Sequence, residues 1–134
     1  MRFAAVALAS CVLAGPAVAD YRMELSGTGM EDYYCRITVA LRNETSSPLA
    51  EINGHFYSFV GEDNVGRSRG ASFLNAAPGD RVEASFLTPN APCDQVTGYQ
   101  FVIGGCRLEG PFVDPGVCAD RIVPIEPIVE AVPR

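Results

Sequence analysis

From Cys35 to Arg42 the chain alternates. Cys35, Ile37, Val39 and Leu41 are apolar, and Arg36, Thr38 and Arg42 between them are polar. A two-residue period puts one row of side chains on a core and the other in water, which is a strand. Arg81–Phe86 repeats the pattern with Val82, Ala84 and Phe86 inward, after a turn at Pro78-Gly79-Asp80. Tyr21–Ser26 shows it again, with Tyr21, Met23 and Leu25 on one face, until Gly27-Thr28-Gly29 breaks the run.

The segments between follow the same logic. Asn43–Pro48 is a turn, because Asn and Ser bond their own backbone and Pro48 ends pairing. Leu49–Val60 continues the buried register through Ile52 and Phe56, with Gly54 between them. Its opposite face carries His55, Tyr57 and Phe59. A hairpin turn at Gly61–Asn64 leads into a weaker strand from Val65 to Leu74, which carries Arg67 and Arg69. Val96–Ile103 has Tyr99, Phe101 and Ile103 as its inner row; Gly104-Gly105 ends it, and Cys106-Arg107-Leu108 opens a short further strand. Beyond Gly110 the pattern fails, and Pro124, Pro127 and Pro133 exclude a helix and any central strand.

Short strands at regular spacing, broken by Gly, Pro and Asn, predict an all-β fold. The expected architecture is an immunoglobulin-like antiparallel β-sandwich of about seven strands. Residues 20–110 form the sandwich, and residues 111–134 are a pinned segment with a Pro-rich tail. That tail, from Ile122 through Ile125 to Ile128, has two readings. It folds back along an edge strand, or it docks on another protein by strand addition or as a polyproline helix.

Composition changes the picture at three points. Residues 1–19 read as a signal peptide: Met1-Arg2 is positive, Phe3 to Leu13 is mostly apolar, and Ala17-Val18-Ala19 offers small residues for cleavage after Ala19. Leu8-Ala9-Ser10-Cys11 also matches a lipobox, a secondary reading because little apolar sequence precedes Cys11. The expected location is periplasmic or secreted, with no stable membrane span after cleavage. Net charge is −6, and no basic run exists to neutralise phosphates, so nucleic acid is not an expected partner. Cys35, Cys93, Cys106 and Cys118 remain after cleavage, and an even number in an exported chain favours two disulfides.

Strand order chooses among the connectivities. Cys93 and Cys106 flank a strand that spans roughly 26 Å, whereas a disulfide needs Cα atoms within about 7 Å. In an up-and-down order, the strand opened by Cys35 and the strand preceded by Cys93 point the same way. Cys35–Cys93 and Cys106–Cys118 are therefore the expected bridges.

Val39-x-Leu41-x-Asn43, Pro48-Leu49, Ile52, Phe56 and Pro78-Gly79 together resemble bacterial extracytoplasmic immunoglobulin-like modules of the FxLYD and CARDB kind. The resemblance covers about Cys35 to Phe86 and implies a fold, with a role as a binding or spacer domain.

Candidate chemistry is sparse. His55 is the sole histidine, a general base only if Tyr57 or Glu51 assists it. Gly66-Arg67-Ser68-Arg69-Gly70 has the spacing of a hydrolase nucleophile elbow but no helix to follow it. Glu62-Asp63-Asn64, Asp114 and Asp120 are oxygen ligands of the calcium type that ordinary acidic turns also supply. No cofactor, metal or catalytic residue is expected. The aromatic row His55, Tyr57 and Phe59 beside Arg67 and Arg69 is the candidate partner surface, since aromatics and Arg dominate interface energetics. Ile122, Ile125 and Ile128 form a second. The leading expectation is a non-enzymatic domain that binds a protein of the cell envelope. The alternative is a small periplasmic enzyme inhibitor or envelope-stress accessory using Ala91–Gln95, and a third is a hydrolase built on His55.

Overall fold

The computed structural model describes residues 20–88 and 91–134. The expected signal peptide and the lipobox cysteine lie outside them. Among the described residues the elements run β1 (Tyr21–Glu31), β2 (Tyr34–Asn43), β3 (Leu49–Val60), β4 (Asp63–Arg67), β5 (Ala71–Ala76), β6 (Arg81–Thr88), β7 (Gly98–Arg107), α1 (Pro115–Ala119), β8 (Ile122–Pro124) and β9 (Ile128–Pro133). They build the expected β-sandwich. One sheet has the order β6-β2-β1-β8; the other has β4-β3-β7-β9, with β5 also paired to β3. The series β1-β2-β6 facing β3-β7-β9 follows the A-B-E and C-F-G order of immunoglobulin sandwiches. Its last strand differs, because β9 runs parallel to β7.

Alternation does what it predicts. Cys35, Ile37, Val39 and Leu41 of β2 are fully buried, as are Ile52 and Phe56 of β3 and Tyr99, Phe101 and Ile103 of β7. Phe86 enters from the first sheet and stacks on Phe56 with ring centroids 4.5 Å apart. Phe56 stacks on Phe101 at the same distance, and Phe73 meets Phe101 edge-on at 5.9 Å. Each such buried side chain contributes roughly 1.5–3 kcal/mol of transfer free energy, so this aromatic column is the main tie between the layers.

Both bridges form as expected. Cys35–Cys93 and Cys106–Cys118 have Cα separations of 5.0 and 5.8 Å. Cys93 lies in a single 3-10 turn that precedes β7, at the end of the sandwich where β2 begins. Cys106, however, belongs to β7 rather than to a separate strand.

Three expectations need correction. β1 does not end at Gly27-Thr28-Gly29; a bulge between Leu25 and Gly27 absorbs the irregularity, and pairing with β2 continues to Glu31. β7 likewise passes through Gly104-Gly105, where the glycines let the Asn53 side chain approach; a Cβ on Gly105 would stand 2.5 Å from Asn53 Nδ2. The single strand expected from Val65 to Leu74 is two, β4 and β5, both antiparallel to β3 and separated at Ser68–Gly70. The tail, by contrast, takes the fold-back reading. β8 pairs parallel with β1 and β9 parallel with β7, so residues 122–133 edge both sheets along one flank. Their prolines sit on edge strands, where a missing N–H costs no ladder bond. Among the described residues no helix is long and apolar enough to cross a membrane.

Candidate functional site

The tail covers one flank of the sandwich, and the opposite flank is where β6 and the β4–β5 pair form the sheet edges. The chain crosses between these edges at the β5–β6 turn, and away from that turn they stand apart. Between them lies a groove of about 700 Å³ lined by Tyr34, Arg67, Arg69, Gly70, Ser85, Phe86 and Leu87.

Its shape comes from the break at Ser68. β4 leaves β3 after Arg67, and one ladder position has no partner strand. Ser68 fills it. Its N–H donates to Phe56 O at 2.8 Å, and its Oγ accepts from Phe56 N–H at 3.0 Å and donates to Arg69 O at 2.7 Å. Ser68 is thereby buried, while Arg67 and Arg69 on either side of it stay exposed and line the groove. The same bonds dispose of the nucleophile-elbow reading, since the Ser68 hydroxyl is committed to backbone and faces no open site.

The groove carries two arginines and no acid. Ion pairs occupy Arg22 with Glu44, Arg36 with Glu31, and Arg81 with Glu83. Ring faces take Arg107 (over Phe112) and Arg121 (over Tyr21). Arg67 and Arg69 have neither kind of partner among the described residues, and no acidic side chain lines the groove. Two guanidiniums beside an apolar floor, on a chain of net charge −6, form a local site for carboxylates. Charge-assisted bonds shift acids nearby in the expected sense. At the β1–β2 hairpin, the hydrogen bond from Arg36, and then its charge, hold the Glu31 carboxyl below the usual range.

The remaining candidates fall elsewhere. His55, Tyr57 and Phe59 do form one row on the outer face of β3, each half-buried. Tyr57 lies opposite Arg67 on β4 and Gln100 on β7. His55 borders a separate polar cleft with Asn53, Ser72 and Arg134. Its Nδ1 lies 3.2 Å from the Ser68 carbonyl, to which an Nδ1–H donates. Glu51 does not reach it; that carboxylate accepts from Asn53 Nδ2 at 3.1 Å. Among the proposed calcium ligands, Asp114 Oδ1 caps α1 by accepting from Gly116 N–H at 2.8 Å, and Asn64 Oδ1 accepts from Gly66 N–H at 3.1 Å. These are turn and cap roles.

The tail residues separate. Ile122 and Ile128 are 7% and 1% exposed and belong to the core, which corrects their place among the candidate partner contacts. Ile125 is exposed. The Ala91–Gln95 loop is anchored at Ala91, which is buried, and at Cys93, which is bridged to β2, while Pro92, Asp94 and Gln95 are exposed.

Sequence reasoning found Arg67 and Arg69 by residue type but missed Tyr34, Ser85, Phe86 and Leu87. Phe86 reads as a core position, which it also is, and only the divergence of two sheet edges makes its rim a groove. The comparisons add no relative: no family model, no curated protein and no solved structure matches this chain.

Proposed function

We propose that this chain is an extracytoplasmic, non-enzymatic domain that binds a protein partner through the Arg67–Arg69 groove. The observation that carries the reading is the pair of exposed guanidiniums without counter-ions beside Tyr34, Phe86 and Leu87. Arg and Tyr flanking a desolvated apolar centre are the usual anchors of an interface. Two disulfides and the absence of a membrane-spanning helix among the described residues are compatible with an extracytoplasmic location. The commitment of His55 and Ser68 to backbone oxygens, Ser68 by both its hydroxyl and its N–H, favours binding over catalysis. Kinship with FxLYD and CARDB modules belongs to the same proposal, supported by the order of the strands.

The test is site-specific crosslinking in cells. A photoreactive side chain at Ser85 is expected to give a discrete adduct, and one at Val123 on the opposite flank is not. The double substitution R67E/R69E is expected to abolish the Ser85 adduct while the folded domain persists. An adduct that ignores the two arginines would overturn the proposal.

A further inference from the structure

Resting on that reading, we propose that the groove takes an extended, acidic segment of its partner as an added strand on the free edge of β6, with carboxylates at alternate positions held by Arg67 and Arg69. Three observations converge on this occupant.

The first is the bare edge. Among the described residues, β6 pairs only with β2. In an antiparallel pair every second residue turns its N–H and C=O toward the neighbour. Asn43 N–H donates to Asp80 O at 2.9 Å where this ladder begins. Counting from there in the printed register, Val82, Ala84, Phe86 and Thr88 face β2, and Arg81, Glu83, Ser85 and Leu87 face away. Ser85 and Leu87 are groove-lining residues, so their outward backbone groups border the groove.

The second is how the other edges are blunted. β8 has three residues and ends in Pro124, β9 ends in Pro133, and β4 has five residues with an irregular register against β3; of the remaining edges, β5 has six residues and no proline, and β6 is the longer. Short strands, prolines and irregularities are the usual protections against unwanted pairing. β6 runs eight residues without proline. Its first half carries the Arg81–Glu83 ion pair, but Ser85–Thr88 carries no charge. That half is an edge left available.

The third is charge and spacing. The groove lining holds two arginines and no acid, which selects an acidic segment over a basic one. Arg67 and Arg69 both line the wall facing β6, and alternate side chains of a strand added to β6 would turn toward that wall. Main-chain bonds to an edge supply affinity and alternate side chains supply selectivity, as in other strand-addition complexes.

The test uses the full disulfide-bonded chain and fluorescein-labelled peptides of about ten residues, read by anisotropy. The probes alternate Val with Glu, Val with Lys, and Val with Glu carrying N-methyl groups at alternate residues in either register. The Glu peptide is expected to bind saturably, and the Lys peptide roughly tenfold or more weakly. One N-methyl register is expected to abolish binding and the other to spare it. R67E/R69E is expected to reverse the Glu-over-Lys preference, and Leu87→Pro, which removes an outward N–H only, to weaken the Glu peptide. Equal binding of the Glu and Lys peptides, indifference to both N-methyl registers, or no binding into the millimolar range would overturn the inference. If any of these occurs while the Ser85 crosslink still requires the arginines, the binding site stands and strand addition is wrong.

Discussion

The Phe56 N–H donates to the Ser68 hydroxyl 3.0 Å away, in the gap where β4 ends and β5 has not begun. A side chain completes a backbone ladder at this point, and the arginines on either side of it are positioned by that completion.

Ser68→Ala is therefore expected to destabilise the domain by about 1–3 kcal/mol, the cost of leaving a buried N–H without an acceptor. The same variant should weaken any ligand of the groove, because Arg67 and Arg69 lose their shared anchor. Urea denaturation followed by tyrosine fluorescence measures the first effect. An unchanged midpoint would mean that water replaces the hydroxyl without loss.

The flank closed by residues 122–133 gives a second expectation. Ile128 is 1% exposed, and Ile128→Ala should cost about 2–4 kcal/mol as a buried large-to-small change. Val129→Ala, at an exposed neighbour, should lie within about 0.5 kcal/mol of the parent. Equal effects of the two substitutions in thermal melts would show that β9 does not pack as described.

The two bridges close loops of different length, with sequence separations of 58 and 12. The chain-entropy relation assigns roughly 4 kcal/mol to Cys35–Cys93 and roughly 3 kcal/mol to Cys106–Cys118. Paired Cys→Ala variants should follow that order in denaturant midpoint. Non-reducing peptide mapping should recover these two linkages and no peptide joining Cys93 to Cys106.

Tyr99 supplies a pH dependence. Burial pushes its hydroxyl up to about 12, against 10.0 for an ordinary tyrosine. The unfolded chain then releases its proton first as pH rises, so the folded state binds more protons in the interval between. The Tyr99 contribution to stability should be level below pH 10 and fall from there toward 12, by on the order of 1–2 kcal/mol. Tyr21, raised chiefly by burial and opposed by Arg121, adds to the same decline. Tyr99→Phe should flatten the slope in urea melts between these limits, and a slope unchanged in that variant would assign the decline to other groups.

What the sequence makes legible depends on the range of the interaction. β2 and the full span of β3 follow from alternation, because a half-buried strand writes its environment into every second residue. The Asn43–Pro48 turn is equally local: Asn43 Oδ1 accepts from Thr45 N–H at 2.9 Å, and its Nδ2 donates to Ser47 O at 2.8 Å and Ala76 O at 2.9 Å. The glycines mislead, since Gly27 marks a bulge and Gly105 a close approach, and both read locally as breakers. β8 and β9 are invisible to periodicity because they are short, proline-bearing and paired with strands about a hundred and about thirty residues distant. The groove is legible only in its arginines, because its walls come from three strands, β2, β4 and β6, and from the link between β4 and β5.

Strands β8 and β9 arrive after every strand they complete. A polypeptide emerging from its amino end presents β1 and β7 with one side bare until residues 122–133 follow. A chain cut between residues 110 and 122 thus leaves both of these edges unpaired, and bare edges are templates for association between chains.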